Sequence, residues 1–193
     1  MALRYAGEIR LIGGQWKRSK LAVADRPGLR PTPDRVRETL FNWLGQSLEG
    51  WRCLDAFAGT GALGLEAASR GAQPVDLIEQ DPMLVRALRS SVEKLKGEAL
   101  VRVLQGDGLQ ALSRAAAAPV HLVFLDPPYS SGLLARAWPL VARAVVPGGW
   151  VYTEGSATLA EPAVAPAEGI ELYRSLRAGQ VLAQLWRRLP AAG

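Results

Sequence analysis

The sequence predicts an α/β protein built on a mostly parallel sheet, and three observations lead to this prediction. From residue 51 onward, short apolar runs alternate with stretches of helical periodicity, joined by short connections. Such alternation is typical of a parallel sheet with helices on both faces. A glycine-rich turn follows the first apolar run of this region, as in Rossmann-like folds. Near the end of the chain, two strand-like runs have no helix between them, which predicts an antiparallel hairpin at the sheet edge.

The predicted elements follow in chain order. Strands are predicted at 52–57, 75–79, 100–104, 120–125 and 150–154. Helices are predicted at 61–70, 82–96, 108–115 and 132–145. The edge hairpin is predicted at 169–187, with its turn at Ala178-Gly179, and the stretch rich in Ala and Pro at 157–168 is predicted to be a surface loop.

The first 48 residues have a different pattern, which predicts a small N-terminal unit (1–48) beside a main domain (49–193). Two strand-like runs flank Gly13-Gly14 and predict a hairpin or bend. A loop containing several prolines follows at 27–33. Thr32-Pro33 is a typical helix start, with the Thr32 hydroxyl as the cap. Apolar residues then recur at helical spacing, which predicts one amphipathic helix.

Positive charge is concentrated in this N-terminal unit. The chain has 23 basic and 18 acidic side chains, and its first 45 residues hold nine basic and four acidic ones, which leaves 14 of each in the remainder. An excess of this kind favours docking of a polyanion such as RNA, although a basic surface can also simply aid solubility. The candidate phosphate contacts are Arg10, Lys17, Arg18, Lys20, Arg35 and Arg37, and the candidate for stacking on RNA is Trp16.

Composition excludes several other classes of protein. Hydrophobic residues make up 49% of the chain, which is enough for a substantial core. No apolar run reaches the roughly 18 residues that a membrane span requires, and the N-terminus lacks the pattern of a secretory signal. With one cysteine (Cys53) and one histidine (His121), neither an internal disulfide nor a metal centre is expected. We therefore expect a cytoplasmic protein without a metal.

The glycine turn predicts a nucleotide-containing ligand. Gly59, Gly61 and Gly64 form a GxGxxG pattern directly after a strand, and Glu79 follows Gly59 by 20 residues, where an acid that binds ribose is expected. Both dinucleotides and S-adenosylmethionine fit this spacing. Asp55, just before the turn, would repel a pyrophosphate but would attract an ammonium group. The residues therefore favour S-adenosylmethionine.

A third strand end adds a further candidate contact. Asp107 is positioned to accept a hydrogen bond from the adenine amino group, and it can equally be the N-cap of the helix that follows. The candidate cofactor contacts are Asp55, Phe57, Gly59, Gly61, Glu79, Gln80, Asp107 and Gly108.

The most specific motif is Asp126-Pro127-Pro128-Tyr129, at the end of the fourth strand of the main domain. The two prolines stiffen the turn and remove two N–H donors. The Asp126 carboxylate and the Pro127 carbonyl can then accept both hydrogens of an exocyclic amine and orient its lone pair. The Tyr129 ring offers a surface on which a base can stack. The alternative is a turn that merely ends the strand. The predicted catalytic residues are Asp126, Pro127, Pro128 and Tyr129.

The chain resembles a known family in these two loops and in further segments. The glycine turn and the DPPY loop are similar to those of class I amino-group methyltransferases. The match is closer to the bacterial 16S rRNA guanine-N2-methyltransferase family (RsmD), which the chain resembles in the segments IRLIGGQW (9–16), RPTPDRVRETLFN (30–42), AGTGALGLEA (58–67) and GQV (179–181).

The resemblance implies a fold and a function. It implies a Rossmann-like sheet of seven strands with the last strand antiparallel, preceded by a small basic hairpin and helix. It further implies transfer of a methyl group from S-adenosylmethionine to N2 of a single guanine in 16S rRNA, written for the family as guanine 966. The implied partner is 16S rRNA within an assembling or assembled small ribosomal subunit, bound by a monomer.

Several other functions remain open at this point. The DPPY loop would also suit adenine N6 of DNA or a glutamine side chain of a protein. The basic N-terminal unit argues against a protein acceptor, and the absence of a separate recognition domain argues against sequence-specific DNA binding. A non-enzymatic RNA-binding assembly factor would not need the full set of acids. A nicotinamide dehydrogenase would need a hydride-site acid that the sequence does not offer.

Overall fold

The computed structural model describes residues 5–26, 29, 31–129, 131–156 and 169–190. Its strands are β1 (Tyr5–Arg10), β2 (Lys20–Ala24), β3 (Cys53–Asp55), β4 (Val75–Glu79), β5 (Val101–Gln105), β6 (Val120–Leu125), β7 (Val145–Ser156), β8 (Ile170–Ala178) and β9 (Val181–Arg188). Its helices are α1 (Asp34–Leu44), α2 (Ala62–Ser69), α3 (Pro82–Lys94), α4 (Gly108–Ala115) and α5 (Leu133–Ala144). Among these described helices, none combines the length and the apolar character that a membrane crossing requires.

Seven of the strands form one sheet in the order β5-β4-β3-β6-β7-β9-β8. The first five strands of this order pair in parallel, whereas β9 pairs antiparallel with both β7 and β8. The β8–β9 hairpin lies at the sheet edge and turns between Ala178 and Val181. The Rossmann-like sheet with an antiparallel last strand is therefore confirmed.

Two strands differ in length from the prediction. β3 ends at Asp55 because the next residues already form the glycine turn. β7 begins at Val145, five residues earlier than expected, because the segment with Pro147 is accommodated as an irregularity in the pairing with β6, where Val120 pairs with Val145 but Leu122 with Trp150. Pro27, Gly28 and Arg30 of the predicted proline-containing loop, and the predicted loop 157–168, lie outside the described residues.

The two faces of the sheet carry separate hydrophobic clusters. Side chains alternate along each strand, so Cys53 lies in one cluster and Leu54 in the other. The first cluster also holds buried residues of α1, α2 and α3, and the second holds those of α4 and α5. The main domain is thus a sheet between two layers of helices, and the carboxyl ends of its parallel strands meet at one edge.

The N-terminal unit shares the core of the main domain. β1 and β2 form a separate two-stranded antiparallel sheet. α1 packs on the large sheet through Phe41, whose ring centroid lies 6.4 Å from that of Phe124. Trp16 is 9% exposed and packs against Gly97, so its proposed stacking on RNA is wrong. A boundary at residue 48 remains a prediction, but the hydrophobic core is continuous across it.

A buried carboxylate attaches the loop of the β1–β2 hairpin to α2. Glu66 is fully buried and accepts hydrogen bonds from the backbone N–H groups of Ile12 and Gly13, each at 2.8 Å. It also pairs with Arg70 at 2.9 Å and with Arg37 at 3.4 Å. Four residues, from the hairpin loop, from α1 and from the end of α2, therefore converge on the Glu66 carboxylate.

Arg37, one of the predicted phosphate contacts, belongs to this cluster, and its assignment to RNA is wrong. Its side chain is completely buried. Besides the pair with Glu66, its guanidinium donates to the carbonyls of Thr32 and Arg10, at 3.2 and 2.9 Å, and to the Asp34 carboxylate at 2.6 Å. Arg37 lies on the same stripe of α1 as Phe41, four residues later, which explains why it faces the core.

Candidate active site

Four acidic residues lie at the carboxyl ends of neighbouring strands. Asp55 ends β3, Glu79 ends β4, Asp126 follows β6, and Glu154 lies near the end of β7. A cavity of about 340 Å³ opens at this edge. It is lined by Leu29, Pro31, Thr32, Asp55, Phe57, Ala58, Thr60, Ala62, Leu63, Asp126, Pro127, Pro128, Tyr129 and Glu154. The structure therefore brings the whole DPPY loop together with Asp55 and Phe57.

Only one of the two carboxylate oxygens of Asp55 has a hydrogen-bond partner among the described residues. It is buried, and its Oδ2 accepts a hydrogen bond from the Gly64 N–H at 3.1 Å. Among the described residues, its Oδ1 has no hydrogen-bond partner. Burial raises the pKa of Asp55 to about 7; the backbone N–H groups of Gly64 and Phe57 lower it in part, and the nearby Glu79 charge raises it slightly. A buried oxygen without a donor is the feature that a cationic ligand group would satisfy.

The glycine turn is held to the end of β4. Gly59 and Gly61 have backbone φ values of +52° and +77°, which residues with a side chain rarely adopt. The Gly59 N–H donates to Glu79 Oε2 at 3.0 Å, and the Asp81 N–H donates to Glu79 Oε1 at 2.9 Å. Both oxygens of Glu79 keep lone pairs, so this acid can still accept hydrogen bonds from ribose hydroxyls.

The remaining predicted cofactor residues lie along the same edge, outside the cavity lining. Asp107 is the N-cap of α4, and its Oδ1 accepts from the Leu109 N–H at 2.8 Å. Gly108 lies against the end of β3, where a Cβ atom would come within 2.2 Å of the Ala56 carbonyl oxygen. Gln80 follows β4 and is exposed. Their contacts with a cofactor remain predictions.

Thr32 contributes to the site and does not cap α1. The helix has Pro33 at its N-cap position, with no side-chain capping bond within the described residues. The Thr32 hydroxyl instead lies 3.3 Å from Asp126 Oδ2 and donates to it. Burial raises the pKa of Asp126 well above its usual value, and the charges of Glu154 and Asp55 add to the effect. Thr32 thus connects the N-terminal unit to the proposed catalytic acid.

Glu154 is a site residue that the sequence reasoning missed. It is 4% exposed and accepts hydrogen bonds from the Tyr152 hydroxyl at 2.9 Å and from the Tyr129 hydroxyl at 3.4 Å. Burial raises its pKa, whereas hydrogen bonds from Tyr152, Thr32 and Tyr129 act in the opposite direction. The sequence does carry a signal for Glu154. It ends the predicted strand 150–154, and Asp55 and Asp126 are likewise acids at the end of an apolar strand.

Five of the six predicted phosphate contacts are exposed. These are Arg10, Lys17, Arg18, Lys20 and Arg35. Lys20 forms an ion pair with Glu8 at 2.8 Å. The hairpin loop is held at the C-terminal end of α2, where Ser69 accepts from the N–H groups of Gln15 and Trp16 at 2.7 and 2.9 Å. Because α2 starts at the cavity and spans eight residues, the loop lies roughly 12 Å further along the molecule.

Solved structures share the fold. The structure of yhhF from Escherichia coli matches with a TM-score of 0.78 and 40% identity, over 95% of this chain and 99% of that chain. The RNA methyltransferase from Salinibacter ruber, in complex with S-adenosyl-L-homocysteine, matches with a TM-score of 0.64 over 84% and 95% of the two chains; at 21% identity this likeness concerns the fold alone. The fold and the carboxylate-lined cavity define a Rossmann-like methyltransferase of class I.

Sequence comparison then identifies the family. The family model described as Conserved hypothetical protein 95 matches residues 9–187. Ribosomal RNA small subunit methyltransferase D of Escherichia coli (strain K12) is 44% identical over 190 residues, 95% of this chain and 91% of that protein. Its namesake in Haemophilus influenzae is 40% identical over 152 residues, 77% of this chain and 79% of that protein. The chain belongs to this family of methyltransferases.

Proposed function

We propose that this protein transfers a methyl group from S-adenosylmethionine to the exocyclic N2 amine of a guanine in 16S rRNA. The observation that carries the proposal is the DPPY loop, whose acid and prolines line the same cavity as the partly unpartnered Asp55. The names of the relatives, which are rRNA methyltransferases, support rRNA as the substrate. We further propose that the protein acts as a monomer in the cytoplasm, on rRNA within the small subunit.

The residues at the strand ends fit the cofactor. The free Oδ1 of Asp55 would accept a hydrogen bond from the ammonium group, and Glu79 would accept from the ribose hydroxyls. Asp107, with Gly108 beside it, would lie near the adenine. When bound, S-adenosylmethionine would supply a methyl group on a positively charged sulfur. The neutral thioether that remains after transfer is a good leaving group.

The acceptor amine would be held by the DPPY loop. The Asp126 carboxylate and the Pro127 carbonyl accept its two hydrogens, so the nitrogen lone pair is oriented toward the methyl group. Tyr129 provides a surface on which the base stacks. The apolar side chains of Leu29, Phe57 and Leu63 line the same cavity and exclude water from it.

Asp126 would also stabilise charge and accept a proton when the amine reacts. Positive charge develops on the amine nitrogen as it forms its new bond, and the adjacent carboxylate stabilises that charge. The surplus proton then passes from nitrogen to the Asp126 carboxylate, whose raised pKa makes it a better proton acceptor than an ordinary aspartate. The guanine must enter the cavity unstacked, so the target nucleotide is single-stranded or flipped out of a helix.

The proposed function is tested by methylation with labelled S-adenosylmethionine. Naked 16S rRNA, small-subunit particles and duplex DNA would each be incubated with the protein, and the products identified by nucleoside analysis. N2-methylguanosine in 16S rRNA is the expected product. Appearance of N6-methyladenosine, or labelling of DNA in preference to rRNA, would contradict the proposal.

Cofactor binding should depend on pH through Asp55. Since burial raises its pKa to about 7, the free protein holds a proton there in mildly acidic solution, and a cationic ligand must displace it. The affinity for S-adenosylmethionine should therefore rise about 25-fold between roughly pH 5.5 and 7.5, with release of a proton. Titration calorimetry at several pH values measures this. Asp55→Asn should bind more weakly at neutral pH and lose the dependence; an unchanged dependence would contradict the assignment.

The exposed hairpin should contribute to RNA affinity and not to the chemical step. Replacing Lys17 and Arg18 with glutamine removes two positive charges that lie about 12 Å from the cavity. The RNA dissociation constant should rise, and the slope of log affinity against log salt should decrease by about 1.5, while kcat is unchanged. Filter binding at several salt concentrations measures the slope.

A matched control removes the same charge elsewhere. Arg114 and Arg143 are exposed in the last turns of α4 and α5, which cover the opposite face of the sheet. Glutamine at both positions should leave the salt slope unchanged. An equal decrease for the two double variants would mean that net charge, and not the hairpin, determines RNA affinity.

A further inference from the structure

We propose that Glu154 selects guanine by accepting a hydrogen bond from its N1–H, beside the amine held by Asp126. This inference rests on the proposed function and extends it to the recognition of the base. It assigns a specificity-determining role to a residue outside the DPPY motif, on the neighbouring strand.

The register of the sheet places the two acids side by side. Along the β6–β7 pair, Phe124 lies opposite Tyr152 and Leu125 opposite Thr153. The next residues along the chain are Asp126, directly after β6, and Glu154, within β7. Neighbouring strands are about 4.8 Å apart, and residues opposite each other in a parallel pair point to the same side. Both side chains line the cavity, so a planar base edge can contact the two carboxylates at once.

The surroundings of Glu154 leave it as a hydrogen-bond acceptor. Tyr152 and Tyr129 donate to its two oxygens, at 2.9 and 3.4 Å, which fixes the orientation of the carboxylate. With the Thr32 hydroxyl as a third neighbouring donor, the four lone pairs of the carboxylate still exceed its donors, so at least one remains for a ligand. The Thr32 hydroxyl lies 3.3 Å from Asp126 Oδ2 and is also a hydrogen-bond neighbour of Glu154, so it lies close to both acids. The two acids thus present lone pairs to the cavity from a buried and largely apolar wall.

Only one of the amine-bearing bases matches two adjacent acceptors. In guanine the N2 amine lies next to N1–H, so this edge of the base presents two adjacent donors, the amine and N1–H. In adenine and cytosine, the exocyclic amine lies next to a ring nitrogen with a lone pair. That lone pair would face the Glu154 carboxylate without a hydrogen between them, which leaves two buried acceptors opposed. Sites built to hydrogen-bond a substrate N–H can reject analogues that lack it by about 10⁴–10⁵-fold.

The test exchanges the target guanine for 2-aminopurine, which keeps the 2-amine but has a lone pair at N1. Small-subunit particles would be assembled on 16S rRNA ligated with either base at the methylated position. The ratio of kcat/KM for guanine to that for 2-aminopurine would be measured for the wild-type protein and for Glu154→Gln. The glutamine amide can donate to N1 of 2-aminopurine, so the ratio should decrease by at least about 20-fold in the variant.

A ratio measured on one preparation does not depend on its folded fraction, so partial misfolding of the variant cannot imitate the result. Glu171→Gln, on the exposed edge strand β8, makes the same chemical change away from the cavity and should keep the wild-type ratio. If Glu154→Gln lowers both rates equally and the ratio is unchanged, Glu154 supports the site without selecting the base, and the inference is wrong. If the wild-type protein forms N6-methyladenosine instead, the product itself shows that the proposed function has failed, and the inference fails with it.

Discussion

Replacing Asp126 with alanine should lower kcat for methyl transfer by about 10³-fold while cofactor affinity changes only a few-fold. The size of the expected decrease in kcat follows from the roles proposed for Asp126. Removal of one group that stabilises developing charge in a buried site typically lowers kcat by about 10²–10³-fold. Asp126 in addition orients the amine and accepts its proton, so the expected loss lies at the upper end of that range.

Cofactor binding should survive because Asp126 lies in the acceptor loop after β6, whereas the predicted cofactor contacts lie at or just after the ends of β3 and β4 and at the start of α4. Single-turnover methylation and titration calorimetry with S-adenosylhomocysteine measure the two quantities separately. Glu171→Ala, on exposed β8, is the control and should leave both unchanged. A variant that keeps more than a tenth of the wild-type rate would exclude Asp126 from the mechanism.

Replacing Glu66 with alanine should lower the free energy of unfolding by about 3–5 kcal/mol. The substitution leaves Arg37 and Arg70 buried without their shared carboxylate, and it leaves the Ile12 and Gly13 N–H groups without an acceptor. Uncompensated buried charges and orphaned backbone donors are among the most destabilising consequences of a single change. Urea denaturation followed by circular dichroism measures the loss.

An exposed ion pair provides the comparison. Arg102 pairs with Asp76 at 2.6 Å, but its side chain is 59% exposed. Arg102→Ala should therefore lower the free energy of unfolding by only about 0–1 kcal/mol. A similar loss for Glu66→Ala would mean that the buried cluster contributes little, and that hydrophobic packing alone attaches the hairpin loop to α2.

The parts of the site that sequence reasoning found are encoded locally. The DPPY loop has its stiffness and its donor-free backbone within four consecutive residues, and both are visible without a fold. The glycine turn likewise joins a strand to a helix within a few residues, and Gly59 and Gly61 adopt the positive φ values for which glycine is suited. For such motifs the neighbours in sequence are also the neighbours in space.

The parts that it missed depend on contacts between distant segments. Thr32 has the residue type and position of a helix cap, yet its hydroxyl donates to Asp126, 94 residues away. Arg37 looked like a surface charge because its partner Glu66 belongs to another helix, 29 residues away. Glu154 ends a predicted strand, but its position beside Asp126 depends on the register of β6 and β7.

Periodicity, motifs and composition predict the class of fold, the strand-end acids Asp55, Glu79 and Asp126, and the location of the positive charge. Which of those charges face solvent and which are buried in the core follows from the packing of distant segments. That packing also decided that a second carboxylate from β7 lines the acceptor cavity. The physical reason is that burial and side-chain pairing are properties of the packed chain, since a charged group becomes a core residue only where another segment supplies its partner.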